Sequence, residues 1–127
     1  MDIYMEEIMD HYKNPRNKGK IKKADFTLAD SNPLCGDELE ISIKLEKDQQ
    51  TVKEIKFTGK GCAISQASMS ILSEYLIGKK LQQIIALKNE DLFRLLGNIQ
   101  LSVMRVKCAL LGLRAVQKAI VVYKIGK

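Results

Sequence analysis

The sequence predicts an α+β fold in which a three-stranded antiparallel sheet is covered on one face by helices. Alternation of apolar and polar residues, the pattern of a half-buried strand, is confined to residues 24–57. Apolar residues at helical spacing fill most of the chain from 63 to 123. Because strands that precede a run of helices segregate into a sheet and a helical layer, this order is typical of the α+β class.

The N-terminal segment, residues 2–13, is predicted to be a helix. Its apolar residues recur at spacings of two to four, and Asn14-Pro15 ends it, since the residue before a proline avoids the helical region. Residues 16–23 are predicted to form a loop rich in lysine and arginine. Such a run can steer docking onto an acidic protein surface or can simply be solvated. The three Phe and four Tyr residues are not interleaved with it, so no nucleic-acid partner is expected.

Three strands follow this loop. Residues 24–28 and 39–45 alternate, the second of them strictly, and 52–57 alternates with a phase slip at Lys53-Glu54 that indicates a bulge. The polar turn at 47–50 joins the second and third strands and predicts an antiparallel hairpin. One face of this sheet is apolar and requires a helical cover.

Four helices are predicted to supply that cover. Gly78 is a suitable residue to end the first of them, and Asn89 is expected to cap the third. The last has the clearest helical periodicity. The predicted helices span 63–77, 81–85, 89–96 and 103–123.

The length and composition indicate one soluble domain over residues 1–127. An apolar content of 46% and a charged content of 28% are ordinary for a globular protein. No run of 18 apolar residues is present, which excludes a membrane-spanning helix, and no membrane partner is expected. The N-terminus lacks a basic region followed by an apolar one, so it is not a signal peptide, and we expect a cytoplasmic protein.

The three cysteines are the residues that point to chemistry. An odd number without a secretion signal favours free or metal-bound thiols over disulfides. Cys35 lies in a predicted turn, Cys62 opens a helix, and Cys108 lies near the start of the last helix. Helix N-termini favour thiolate, the species that binds metals and attacks sulfur electrophiles. The alternative is that each cysteine only fills space in the core.

A fourth ligand is available beside the first cysteine. Cys35 and Asp37 flank Gly36, so both side chains could turn toward one ion. Three thiolates and a carboxylate are a plausible four-coordinate set for zinc or iron, although Asp37 could equally serve turn chemistry. His11, the single histidine, is expected to be a surface or packing residue rather than a ligand.

In these motifs the sequence resembles the U-type iron–sulfur cluster scaffold family, which comprises IscU, SufU and the N-terminal domain of NifU. The resemblance spans nearly the whole chain and includes three cysteine motifs in order. The matching segments are Asp10-His11-Tyr12-Lys13-Asn14-Pro15-Arg16-Asn17, Asn32-Pro33-Leu34-Cys35-Gly36-Asp37, Gly59-Lys60-Gly61-Cys62-Ala63-Ile64-Ser65-Gln66-Ala67-Ser68 and Arg105-Val106-Lys107-Cys108-Ala109-Leu110-Leu111.

The resemblance implies a scaffold rather than an enzyme. Cys35, Cys62 and Cys108 would be the cluster ligands and sulfur acceptors, and Asp37 matches the family's aspartate near the site. A pyridoxal-phosphate cysteine desulfurase would supply persulfide sulfur. Iron would then complete a transient [2Fe-2S] or [4Fe-4S] cluster for acceptor apoproteins. Zn²⁺ often binds in the same site, and a monomer or weak dimer is expected.

Two departures from the family pattern bear on the role. IscU proteins have a histidine where this chain has Lys107, and in this the chain resembles SufU. The gap between Cys62 and Cys108, however, is too short for the insertion that SufU proteins usually carry. The stretch Leu101-Ser102-Val103-Met104-Arg105 replaces the Leu-Pro-Pro-Val-Lys that a dedicated chaperone reads, so dependence on that chaperone is doubtful. The alternative functions are a SufU-like zinc-dependent sulfurtransferase and, less in keeping with the motifs, a zinc domain that binds nucleic acid or protein through the basic loop.

Overall fold

The computed structural model of the chain describes residues 3–33 and 36–126. A helix precedes three consecutive strands, and four helices follow them. The elements are α1 (Ile3–Lys13), β1 (Phe26–Asn32), β2 (Asp37–Leu45), β3 (Val52–Lys60), α2 (Ala63–Leu76), α3 (Leu81–Ile85), α4 (Asn89–Leu95) and α5 (Val103–Ile125). The predicted fold class and the order of the elements are confirmed.

The three strands form one sheet in the order β1-β2-β3, with both neighbouring pairs antiparallel. In the β2–β3 pair, Lys44 lies opposite Glu54 and Leu45 opposite Val52, which leaves Lys53 as an extra residue. The bulge predicted at this point is therefore present. The first strand was predicted at 24–28 and is observed at Phe26–Asn32. Its C-terminal end was missed because the residues there are polar and do not alternate with apolar ones. These residues pair through their backbone, and Asn32 lies opposite Asp37.

The core lies between the inner face of the sheet and helices α2 and α5. The inward side chains of β2 and β3, such as Ile41, Ile43 and Phe57, are completely buried. Burial of large apolar side chains supplies most of the favourable free energy of folding. Helix α2 is the central element, since nine of its 14 residues are buried.

The basic loop pairs with the edge of β3 at Phe57 and then reaches the face of the sheet opposite the core. The backbone N–H of Gly19 donates to the carbonyl of Phe57 at 2.8 Å, and the Ile21 N–H donates to Ser42 Oγ at 3.4 Å. Ser42 is consequently 3% exposed although it points away from the core. The loop at 16–23 is thus attached to the sheet.

The predicted ends of α2, α4 and α5 differ from the structure by one or two residues, and the predicted cap of α4 is wrong by one residue. The N-terminal cap of α4 is Lys88, and Asn89 is already helical. The Lys88 backbone N–H donates to a carboxylate oxygen of Asp91 at 2.8 Å, so the third residue of the helix satisfies the amide of the cap residue. Among the described residues, no helix has both the length and the hydropathy to cross a bilayer.

His11 is a buried residue between α1 and α2, as one of the two alternatives for it predicted. It is 4% exposed, its Nδ1 lies 2.7 Å from Ser70 Oγ, and its Nε2 lies 3.5 Å from a carboxylate oxygen of Glu74. Ser70 Oγ also accepts the backbone N–H of Arg16 at 2.8 Å, so its own hydrogen is available for Nδ1. This arrangement suits a neutral imidazole.

The stability of the fold is expected to decrease below about pH 6.5, the usual value for histidine. Burial and the charge of Arg16 lower the pKa of His11 from 6.5, against the opposing charges of Glu74, Glu7 and Asp10. The unfolded chain therefore binds a proton at a pH where the folded chain does not, and stability is lost as the pH falls toward the lowered value. Urea unfolding at pH 7.5 and pH 5.5 measures this loss. His11→Gln should lose less stability than the parent, and equal losses would assign the effect to other groups.

Candidate metal centre

Three of the four predicted ligands are brought together from three different elements. Asp37 is the first residue of β2, Cys62 directly precedes α2, and Cys108 lies in α5. One ligand atom from each lies within 4.8 Å of the others, which is close enough for a single ion to contact all three. Cys35, the fourth predicted ligand, lies outside the described residues, and its role stays a prediction.

Asp37 is held at the site by one oxygen and leaves the other unpartnered. Its Oδ1 accepts the backbone N–H of Cys62 at 3.0 Å, a contact that joins the start of β2 to the start of α2. Its Oδ2 is buried without a hydrogen-bond partner, and the residue is 1% exposed. A buried carboxylate oxygen without a donor is unfavourable, whereas a cation would satisfy it.

Cys62 is the N-cap residue of α2. Its Sγ accepts the Ser65 backbone N–H at 3.5 Å, and Ser65 Oγ donates to the Cys62 carbonyl at 3.1 Å. Burial raises the pKa of the Cys62 thiol, but hydrogen bonds from Ser65 and from Cys108 outweigh burial and the charge of Asp37. The net result is a lowered pKa, as its predicted place at a helix N-terminus implied.

Cys108 has a different environment from the one predicted. It is the sixth residue of α5, which begins at Val103, so it lies beyond the first turn, where amide groups are free. It is 2% exposed, and its neighbour Lys107 is exposed. Lys107 lines a shallow groove of about 250 Å³ against the end of β1. Helix α5 therefore places the Cys108 thiol at the site. The expectation that the N-terminus of this helix would favour the Cys108 thiolate is wrong.

Gly61 allows the carboxylate and the thiol to lie this close together. A Cβ atom at this position would overlap Asp37 Oδ1 and would lie 2.6 Å from Ser65 Oγ. Any larger residue would therefore displace Asp37 from Cys62. The glycine that the sequence places before the second cysteine has a steric role in the site.

Helices α2 and α5 approach closely beside the site. A Cβ at Gly112 would lie 2.8 Å from Sδ of Met69 and 3.6 Å from its Cα, so the two helices are in direct contact at this glycine. Gly112 lies one helical turn beyond Cys108. The separation of the two thiols is thus fixed by helix packing rather than by a local turn.

The donor set suits a soft or borderline metal. Thiolates favour zinc and iron, and the buried orphan oxygen of Asp37 is the observation that fits a cation at this point. His11 belongs to the separate cluster at Ser70 and is not one of the three grouped ligands among the described residues. The sequence interpretation missed Gln66, a polar side chain on the buried helix α2 whose Nε2 also has no partner.

The fold and this thiolate–carboxylate group define a class of small α+β proteins with a centre suited to iron–sulfur clusters or zinc. Residues 3–127 match the family model described as the NifU-like N terminal domain. The chain belongs to this family. The resemblance to IscU, SufU and NifU found in the sequence motifs is confirmed.

Relatives of two kinds are similar over nearly the full length. The protein named iron-sulfur cluster assembly scaffold protein IscU of Haemophilus influenzae is 34% identical over 124 residues, covering 95% of each chain. The zinc-dependent sulfurtransferase SufU of Bacillus subtilis is 36% identical over 135 residues, covering 93% of this chain and 89% of the relative. These names describe the relatives.

Solved structures agree with the fold. A structure titled as a SUF-system scaffold, from Fervidobacterium islandicum, superposes with a TM-score of 0.76 at 29% identity, covering 91% of this chain and 94% of the other. The N-terminal part of a NifU-like protein from Brucella abortus gives a TM-score of 0.82 at 20% identity, covering 98% and 96%. The second comparison supports the fold alone.

Proposed function

We propose that this protein is a scaffold that receives sulfur, binds iron, builds a transient iron–sulfur cluster and passes it to apoproteins. The observation that carries the proposal is the meeting of Asp37, Cys62 and Cys108 within 4.8 Å, with one carboxylate oxygen buried and unpartnered. The similarity to IscU over nearly the full chain supports it. The proposed partners are a cysteine desulfurase and the acceptor apoproteins, and Cys62 and Cys108, which are not joined in a disulfide, suit the reducing cytoplasm.

Cys62 is the thiol best suited to accept sulfur from the desulfurase. It is partly exposed, whereas Cys108 is 2% exposed, and its pKa is lowered. Its thiolate attacks the terminal sulfur of the donor's persulfide. A sulfur–sulfur bond forms to Cys62 while the donor's own sulfur–sulfur bond breaks, and the donor cysteine leaves as thiolate. The exchange is balanced and needs no external oxidant or reductant.

The carboxylate gives the scaffold a ligand that can be released. Asp37, Cys62 and Cys108, with Cys35 as the fourth member, would hold iron through three thiolates and one oxygen. An oxygen donor is harder than thiolate and suits iron less well than sulfur does. The finished [2Fe-2S] or [4Fe-4S] cluster is cargo, so a weaker ligand at one position favours its transfer.

The second candidate function is a zinc-dependent sulfurtransferase. Lys107 removes the histidine that IscU proteins carry beside the third cysteine, and the chain is 36% identical to the Bacillus subtilis protein of that name. In this function Zn²⁺ would occupy the same donors. Transfer of sulfur would then proceed without assembly of a cluster on this protein.

Anaerobic reconstitution with Fe²⁺, sulfide and thiol distinguishes the two functions. We expect the metal-free protein to turn brown and to show sulfur-to-iron charge-transfer bands in the visible spectrum, because three thiolates are available to bind iron. Elemental analysis of the protein as purified identifies its resident metal. Zinc that iron and sulfide cannot displace, together with persulfide uptake from a desulfurase, would assign the sulfurtransferase function instead.

A further inference from the structure

The side-chain amide of Gln66, one helical turn after Cys62, has an unused hydrogen-bond donor. Its Nε2 is buried and has no hydrogen-bond partner. The other buried side-chain atom without a partner in the described part of the chain is Asp37 Oδ2, which belongs to the centre itself. Native proteins leave few such groups, and each calls for an explanation.

The position of Gln66 relates its amide to Cys62. The backbone N–H of Gln66 donates to the Cys62 carbonyl at 3.2 Å, which places it one helical turn above the cysteine. Side chains of a helix lean toward its N-terminus, so the Gln66 side chain extends over the turn that Cys62 begins. The next polar residues along this face are Ser70 and Ser73. They form hydrogen bonds with His11 and Asn17, and neither accepts a hydrogen bond from the Gln66 amide.

The partner that this donor lacks is absent from the metal-free protein. The Cys62 and Cys108 sulfurs are not bonded to Nε2, even with the longer distance that sulfur allows. A terminal persulfide sulfur on Cys62, or a sulfide added with iron, would lie farther out from the thiol by about one sulfur–sulfur bond of 2.05 Å. Such a sulfur carries negative charge and accepts N–H hydrogen bonds.

We propose that Gln66 is a positioning residue that donates a hydrogen bond to the anionic sulfur that the site gains during assembly. The inference rests on the proposed function and adds a residue to it. In the metal-free protein the unpartnered N–H is unfavourable, and in the loaded protein it holds the added sulfur and offsets its charge. Hydrogen bonds to cluster sulfurs raise the reduction potential, because they stabilise the more negative, reduced state.

The substitution Gln66→Met tests this role, because it keeps the length of the side chain and removes the donor. We expect the metal-free variant to be as stable as the parent or more stable, since an unpartnered buried polar group is lost. The loaded variant should have a more negative cluster reduction potential. The persulfide formed on Cys62 in metal-free protein should have a several-fold shorter lifetime.

Gln117→Met is the matched control, since Gln117 has a structural role. Its Nε2 donates to the carbonyls of Ile84 and Leu87 at 3.1 and 2.9 Å. Its replacement should lower the stability of the metal-free protein and leave the potential and the persulfide lifetime unchanged. Gln66→Glu, which also lacks the donor, should follow Gln66→Met in lowering the potential.

The two measurements distinguish the two sulfurs. A change in persulfide lifetime alone supports a hydrogen bond to the persulfide, and a change in potential alone supports one to cluster sulfide. If Gln66→Met leaves both measurements unchanged, whatever its stability, the proposal is overturned while the scaffold function stands. A parent protein that takes up neither persulfide nor cluster overturns the proposed function and this role with it.

Discussion

Replacing Asp37 by alanine is expected to slow transfer of an assembled cluster and to lengthen the lifetime of the cluster on the protein. The carboxylate is the one oxygen donor among the predicted ligands, and it is the ligand that an acceptor's cysteine would displace first. We expect rates of transfer and decay to fall on the order of tenfold, which corresponds to about 1.4 kcal/mol in the barrier. For Zn²⁺ the expected effect is opposite, because loss of a ligand from a four-coordinate site lowers affinity.

The competing explanation is that Asp37 only organises the backbone. Its Oδ1 does accept the Cys62 N–H, and loss of such a cap costs about 1 kcal/mol of stability. Asp48→Ala is the matched control, since Asp48 accepts N–H groups from Gln50 and Thr51 in an exposed turn. Cluster decay and transfer to an apo-ferredoxin should be normal in that variant. Equal rates of cluster decay and cluster transfer in Asp37→Ala and in the parent protein would show that Asp37 is not the ligand that is released first.

Serine at Cys62 or Cys108 is expected to remove most of the bound metal. A neutral hydroxyl is a poor replacement for thiolate, and the affinity should fall by more than the roughly tenfold to hundredfold that loss of an outer-shell partner brings. The same loss is expected for Cys35→Ser, because Cys35 is the remaining predicted thiolate. The measurement is zinc and iron content after dialysis. Three variants that all retain a full complement of metal would show that the assigned centre is wrong.

Burial of Cys108 requires a separate control for folding. At 2% exposure, a serine hydroxyl in its place would be a polar group in the core. Cys108→Ala keeps the position apolar and removes only the thiol. Both variants should lose metal, and circular dichroism should show that the alanine variant is folded. A folded Cys108→Ala protein with the parent's metal content would remove Cys108 from the ligand set.

Local sequence patterns were sufficient to predict most of the elements. Strict alternation at 39–45 predicted β2 because one face of that strand is buried, and the phase slip at Lys53 predicted the bulge. The edge strand β1 was less predictable, since residues 30–32 pair through their backbone and have polar side chains. Alternation of apolar and polar residues therefore predicts the parts of a strand that have one buried face. It does not predict the parts that pair only through their backbone.

The site was only partly predictable, because its geometry depends on tertiary contacts. Cysteine and glycine positions indicated reactive thiols, and the spacing of Asp37 from Cys35 indicated a fourth ligand, with which the family resemblance agreed. The contact between Asp37 and Cys62 depends on how β2 pairs with β3, and the depth of Cys108 depends on how α5 packs. The unpartnered amide of Gln66 depends on burial that no spacing rule predicts.

The distribution of the three donors over the start of a strand, the N-terminus of one helix and a second, distant helix links metal occupancy to folding. Asp37 and Cys108 are 71 positions apart, so an unfolded chain cannot present both to one ion without closing a long loop. Ligand that binds only the folded state stabilises it by about 2.7 kcal/mol at a free concentration of 100 times Kd. The melting temperature of the protein is therefore expected to rise with metal occupancy. Under the proposed function, a partner that loosens the contact between α2 and α5 would promote release of the bound cluster.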